Sequence, residues 1–221
     1  ITVTAQKRTQ SIQEVPISIS TLSGEQFESL FSGGGDILEL ATRVPGLYAE
    51  SSNGRVAPRF YIRGLGNTDF DLAASQPVAI MMDGVVKENV VLKSFPLFDV
   101  SQVEVLRGPQ GTLFGRNTTA GIVKFDTNKP TQDFEAFTEV SVGNLGTFNA
   151  EAAISGGLTD ELSGRFSVLS QNRGDWIDNG FTDESDAMGE YEELAWRGQL
   201  LWEPTSLDMT CLLYTSPSPR D

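Results

Sequence analysis

An α+β unit followed by the opening strands of an antiparallel β-barrel is the fold class this sequence predicts, on three observations. Residues 11–130 alternate short helical and short strand signals, separated by Gly, Asn, Asp and Pro clusters. From Phe134 the pattern changes to longer strands, each with one apolar and one polar or charged face. Glycine contributes 22 of 221 residues, above the ~7% of ordinary usage, which favours tight turns and close backbone approach over long helices.

The first element is Ile1–Ala5. Ile1, Val3 and Ala5 alternate with Thr2 and Thr4, the period-two signature of a strand. Gln6 to Gln10 form a polar run that promises neither a tight turn nor a partner strand. A lone terminal strand exposes unpaired backbone groups, so it is expected either to fray or to pair with another chain. Ser23-Gly24-Glu25-Gln26 is a capping box that opens a helix through Phe31, and Asp36-Ile37-Leu38-Glu39 opens a second. That second helix carries Ile37, Leu38, Leu40, Ala41 and Val44, and Pro45-Gly46 stops it. Short strands are predicted at 47–49, 59–63, 78–82, 85–86, 103–106 and 121–125, with Asp83-Gly84 as a hairpin turn.

Four longer strands follow. Ala136, Thr138, Val140 and Val142 face away from Glu135, Glu139 and Ser141, and Phe148, Ala150, Ala152 and Ile154 away from Asn149, Glu151 and Ser155. Leu162, Gly164, Phe166 and Val168 then oppose Ser163, Arg165 and Ser167. After an acidic segment, 171–192, Leu194, Trp196, Gly198, Leu200 and Trp202 oppose Glu193, Arg197 and Gln199. The length is roughly the 9–11 residues that cross a bilayer when tilted. Trp196 and Trp202 are expected near the two ends of the apolar face, as interfacial girdles. The rival reading is a soluble meander with one solvated face. Four strands with so few bulky apolar residues make a poor core by themselves, whereas closure with further strands resolves that.

The formal net charge of −14 disfavours a nucleic-acid partner. With no histidine and a single cysteine, Cys211, there is no disulfide framework, no Cys/His zinc site and no Ser-His-Asp triad. No apolar run approaches the ~18 residues of a membrane helix, Val78–Met82 being about the longest. The chain starts at Ile1 with no charged and apolar leader, so an export signal is expected to have been removed or not included.

The stretch 102–121, Gln-Val-Glu-Val-Leu-Arg-Gly-Pro-Gln-Gly-Thr-Leu-Phe-Gly-Arg-Asn-Thr-Thr-Ala-Gly, strongly resembles the plug-domain signature of TonB-dependent outer-membrane receptors. So do Tyr61-Ile62-Arg63-Gly64-Leu65-Gly66 and the run from Val78 through Asp83-Gly84-Val85. The glycine-rich turn lacks the Lys-Ser/Thr ending of a phosphate-binding loop. The resemblance covers residues 1 to 208. It implies a TonB box and tether at 1–9, a plug at 10–130, the first about four barrel strands at 131–208, and a tail at 209–221 that looks like read-through. A complete receptor of this family places the plug within a barrel of about 22 strands.

On the resemblance, Ile1, Thr2, Val3, Thr4 and Ala5 would add as a strand to the periplasmic protein TonB, energised from the inner membrane, with Lys7 to Gln10 as tether. Arg63, Gly64, Gly66, Asp83, Gly84, Glu104, Arg107, Gly108, Gly111, Gly115, Arg116, Asn117 and Gly121 carry the plug signature. Small residues serve close packing, and Arg63, Arg107 and Arg116 are expected to meet Glu135, Glu139 or Glu151. The implied function is active uptake of a scarce bulky nutrient, a ferric siderophore first, with cobalamin, haem or oligosaccharide as alternatives. It needs no catalytic residue, cofactor or resident metal. The implied location is the outer membrane of a Gram-negative bacterium, in contact with its lipid, with plug and box reached from the periplasm. Polar loops 51–58 and 67–76 are the ligand-facing candidates, with Tyr48, Arg55, Arg59 and Phe70 as contacts. Outside this class stand a soluble carbohydrate-binding or adhesin module and a hydrolase using Asp69 with Asp71 or Asp83. Asp in turn-forming sequence has the commoner role of shaping turns.

Overall fold

The structure, a computed structural model, describes residues 2–31, 35–52, 55–69, 74–89, 93–204 and 211–215. A first compact unit closes at Thr127 and a second runs from Asn128.

The first unit is built on a five-stranded sheet. It comprises β3 (Ser18–Ser23), β6 (Val78–Met82), β7 (Val85–Val86), β8 (Val100–Arg107) and β9 (Gly121–Thr127), in the order β3-β8-β9-β6-β7. All neighbours are antiparallel except β6 and β9. Successive side chains of a strand point to opposite faces. Val78, Ile80 and Met82 therefore join one core with Phe27, Leu40, Phe60 and Phe125, while Ala79 and Met81 join another with Val3, Ala5, Leu106 and Ile122. A sheet covered on both faces explains why β6 is an unbroken apolar run.

Helix α1 (Gly24–Phe31) starts as its capping box requires, the Ser23 N–H donating to Gln26 Oε1 at 3.2 Å. Phe27 and Phe31, one turn apart, stack at 4.2 Å. The second predicted helix is instead a 3₁₀ helix, Ile37–Thr42. Asp36 caps it by accepting the Leu38 N–H at 2.9 Å, and the Arg43 N–H bonds back to Leu40 O at 3.2 Å, which ends the helix short of Pro45. Three-residue closures suit so short a run. Hairpin β4 (Leu47–Glu50) and β5 (Arg59–Ile62) and the one-turn helix α2 (Gly111–Phe114) complete the unit.

The leading strand is not unpaired. Within it, β1 (Thr2–Val3) pairs antiparallel with β2 (Gln10–Ser11), correcting the expectation that the polar run supplies no partner. Lys7, at φ +57°, closes the turn by donating its N–H to Thr4 O at 2.9 Å. Pairing here uses backbone groups, so Gln10 and Ser11 need no strand-like side chains. Val3 and Ala5 are buried.

The second unit is an antiparallel sheet of β10 (Glu135–Val142), β11 (Phe148–Thr159), β12 (Leu162–Arg173), β15 (Tyr191–Trp202) and β16 (Cys211–Thr215), in that order. Its exposure is the reverse of a water-soluble sheet. Asn149, Ser155, Ser163, Arg165, Ser167, Gln171, Arg197 and Gln199 are buried, while Val140, Ile154, Phe166, Leu194 and Leu200 are exposed. Three expectations change. The described sheet has five strands, because Cys211–Thr215 pairs along Gly198–Trp202. Trp196 lies mid-strand, stacked on Phe166 at 6.3 Å, so only Trp202 marks an end. The acidic segment holds its own hairpin, β13 (Ile177–Asn179) with β14 (Glu184–Met188). No described helix is long and apolar enough to cross a membrane, which says nothing of strands.

Candidate functional site

Two clusters in the first unit matter, one under the leading strand and one on the β4–β5 hairpin. In the first, register sets Glu104 of β8 opposite Lys124 of β9, and Gln102 opposite Asp126. Two-residue spacing puts Gln102 and Glu104 on one face, beside Lys124 and Asp126. Glu104 is fully buried. Its Oε1 accepts the Thr4 backbone N–H at 2.6 Å, the Thr4 hydroxyl at 3.2 Å and Gln102 Nε2 at 2.5 Å. Lys124 Nζ lies 3.8 Å from Glu104 Oε2 and also donates to Thr4 Oγ1 and Asp126 Oδ2. Lys7 Nζ sits 5.4 Å over the ring of Phe114, tying the turn of the leading segment to α2. Thr2, Val3, Thr4 and Ala5 are thus docked; Ile1 and Phe70 lie outside the described residues.

Predicted from the sequence were Thr4 and Glu104 as separate features, not Gln102, Lys124 and Asp126. The available signal was a polar pair at alternate positions in each of two otherwise apolar strands, which makes sense only if they face one another.

The signature residues shape the scaffold. Arg63 and Gly64, both at positive φ, form the turn in which Ile62 and Leu65 exchange backbone hydrogen bonds at 3.0 Å. Asp83 and Gly84, at φ +47° and +80°, make the two-residue hairpin between β6 and β7. The Asp83 carboxylate accepts both the N–H and the hydroxyl of Thr127 at 2.9 Å. Gly121, at φ +151°, has no room for a side chain, since a Cβ would lie 2.2 Å from Leu106 O. Gly108 donates its N–H to Ala120 O and Gly115 to Gly111 O, closing the turns around α2, and a Cβ on Gly66 would strike the Tyr61 ring.

Inside the first unit the arginines have these partners. Arg107 donates to Ser18 Oγ, Ser20 Oγ and Pro45 O, and Arg63 to Ser18 Oγ. Arg116 grips Glu88 through two bonds at 3.0 and 2.6 Å, with Asn117 at 3.5 Å from the same carboxylate. Such a bidentate grip holds the Glu88 carboxyl below its ordinary range. Glu135 of β10 meets Arg165 of β12, across the intervening β11 of their own sheet, at 3.8 Å.

On the hairpin, Tyr48 faces Tyr61 and Glu50 faces Arg59 across the ladder. The two rings lie 5.5 Å apart. Glu50 gathers the group: Tyr61 OH donates at 2.7 Å, Tyr48 OH at 3.2 Å, and Arg59 Nη2 stands 3.4 Å away. Arg59 also donates to Ser52 Oγ at 2.6 Å. The hydrogen bond from Tyr61 pulls the Glu50 carboxyl down. The bond to Glu50 pushes the Tyr48 phenol up, while burial first and Glu50 second raise Tyr61. Tyr48 is 57% exposed, so one edge of the group is open. Arg55 is half-buried and its carbonyl accepts from Ser94 Oγ at 2.6 Å. Of the four predicted contacts, Tyr48 and Arg59 come together through Glu50, a residue the sequence reading passed over.

Among the described residues no cluster of acids and cysteines could hold a metal ion. Two acids of segment 171–192 act as backbone acceptors, Asp178 for the Asp186 N–H and Asp175 for the Glu190 N–H. Asp69 donates its N–H to Asn67 Oδ1 in a loop turn.

A two-sided α/β unit, followed at once by strands with an apolar outside, defines a plug domain leading into a barrel wall. The chain belongs to the TonB-dependent Receptor Plug Domain family, whose model matches residues 11–122. The Ferric-pyoverdine 358 receptor of Pseudomonas putida is 26% identical over 85% of this chain and 22% of its own length. The Ferrioxamine B receptor of Salmonella typhimurium (strain SL1344) is 26% identical over 92% of this chain and 28% of its own. Among solved structures, the ferric yersiniabactin uptake receptor FyuA from Yersinia pestis superposes with a TM-score of 0.80 at 24% identity, over 94% of this chain and 32% of that one. The pyoverdine outer membrane receptor FpvA from Pseudomonas aeruginosa PAO1 does so with 0.75 at 20% identity, over 97% and 29%. These superpositions show the shared fold. The chain spans less than a third of the length of each of these relatives.

Proposed function

We propose that this chain is the plug and first barrel wall of a receptor that carries a ferric siderophore across the outer membrane, driven by TonB. The observation that carries the reading is the inverted sheet: polar side chains are buried and apolar ones exposed on strands that directly follow a plug domain. A soluble adhesin or carbohydrate-binding sheet would bury the opposite face. The ferric siderophore is favoured over cobalamin, haem or oligosaccharide because relatives are named for pyoverdine and ferrioxamine. The function calls for no enzyme chemistry and no cofactor.

In this reading Tyr48 offers an exposed aromatic ring, and Arg59, 9% exposed and paired with Glu50, a cation beneath it for an anionic chelate on the outward side, with Arg55 and Phe70 as further contacts. Residues 1–5 lie on the periplasmic side, where a TonB strand adds to their backbone and pulls through Lys7 to Gln10. Work arrives mechanically, through the docking of Val3, Thr4 and Ala5 on β8 and β9 that links the leading strand to the central sheet.

The test is uptake by the full-length receptor in an iron-starved host stripped of competing receptors. Radio-iron offered as hydroxamate, catecholate and mixed-ligand chelates should enter in at least one form, and cobalamin, haem and maltodextrin should not. Uptake of only a non-siderophore nutrient overturns the assignment.

A further inference from the structure

We infer that Glu104, with Lys124, is a latch that keeps the leading strand folded onto the plug and so sets whether its backbone is offered to a partner strand. The inference rests on the coupling role proposed for residues 1–5.

Strand addition needs free N–H and C=O groups on the added segment. Here those groups are already engaged. Thr2 and Val3 pair with Ser11 and Gln10, Thr4 O accepts the Lys7 N–H, and the Thr4 N–H is held by Glu104. Val3 and Ala5 are 1% and 0% exposed, so binding a partner also requires pulling their side chains out of the core. A partner must therefore compete with an internal arrangement that uses the same atoms.

The chemistry of the latch makes release reversible. A buried carboxylate stripped of every partner is strongly destabilising. Glu104 avoids this on release, because Gln102 still donates to its Oε1 and Lys124 remains beside its Oε2. Lys124 in turn keeps Asp126 after losing Thr4 Oγ1. Without the leading strand the cluster keeps these contacts, Glu104 Oε2 resting on the Lys124 charge with no hydrogen bond of its own, and it gains two bonds from Thr4 when the strand returns. Two discrete arrangements of one cluster are what a switch element requires. The Lys7 contact with Phe114 gives the docked form a second hold, on the glycine-rich segment between β8 and β9.

The experiment uses the full-length receptor in outer-membrane vesicles, in a cysteine-free background that includes Cys211→Ser. A single reporter is placed by Ala5→Cys, and a control by Val123→Cys in the centre of β9; both sites are 0% exposed. Glu104→Ala should speed thiol labelling at position 5 by roughly tenfold or more, since a charge-assisted bond to the leader is lost. Glu104→Gln, whose amide oxygen still accepts from Thr4, should give a smaller increase, and position 123 should stay protected throughout. Thr4→Pro removes the donated N–H from the other side and should reproduce the increase without touching the buried acid. Unchanged labelling at position 5 overturns the latch, as does opening of positions 5 and 123 together, which would make Glu104 a brace of the whole plug. Labelling is read without transport, so its failure is separate from failure of the coupling role.

Discussion

Phe166 and Ser167 are consecutive on β12, yet Phe166 is 49% exposed and Ser167 is wholly buried. The same alternation recurs at Ile154 and Ser155, so it is a property of the sheet. If the apolar face meets lipid, Phe166→Lys in the full-length receptor should cost about 2–4 kcal/mol at mid-bilayer depth. Reversible unfolding from phospholipid vesicles measures it. A change near zero would place that face in water.

Asp83 joins the β6–β7 hairpin to the last residue of β9 through its two bonds to Thr127. Asp83→Ala leaves a buried Thr127 N–H and hydroxyl without these acceptors, a loss of about 1–3 kcal/mol. Hydrogen exchange of β6 and β9 amides in the full-length receptor should quicken correspondingly, with β11 and β12 unaffected.

Lys93 is 2% exposed, and burial pushes its ammonium down to about 8. Below that pH the group is charged both folded and unfolded, and folding bears the desolvation. Between about 8 and the ordinary 10.5 the unfolded chain binds the extra proton, so stability rises with pH there. Lys93→Met should therefore stabilise the plug at neutral pH by about 3 kcal/mol, a gain that shrinks as pH approaches 10.5. Exchange protection of β8 and β9 against pH reads the effect.

Arg59 is held in place by Glu50 and Ser52 beside the open face of Tyr48. Arg59→Ala should weaken binding of the transported ferric chelate by roughly tenfold to a hundredfold, the worth of a charge-assisted hydrogen bond. Tyr48→Phe keeps the ring and loses only a hydroxyl that bonds Glu50, so it should change affinity by less. Titration of the full-length receptor with the chelate distinguishes the two.

Much of this was legible because it depends on period and punctuation. The β6–β7 hairpin follows from Asp83-Gly84, and the strands from Glu135 onward follow from alternation that is independent of which face meets water. What was hidden depends on backbone chemistry or on distance along the chain. Pairing of Thr2–Val3 with Gln10–Ser11 turns on Lys7 adopting a left-handed conformation, which its side chain does not announce. The 3₁₀ form of Ile37–Thr42 is decided by where its closing bonds fall before Pro45, not by its cap. Glu104 reads as one acid in an apolar strand until Thr4, a hundred residues earlier, is seen to donate to it. Cys211–Thr215 lacks a clear alternation but pairs because Gly198–Trp202 presents an open edge.

The coupling claim is tested most directly by removing residues 1–5 from the full-length receptor and measuring radio-iron uptake alongside chelate binding and membrane insertion. Uptake should fall to background while binding and insertion persist. Transport at the unmodified rate by the shortened receptor would contradict the account.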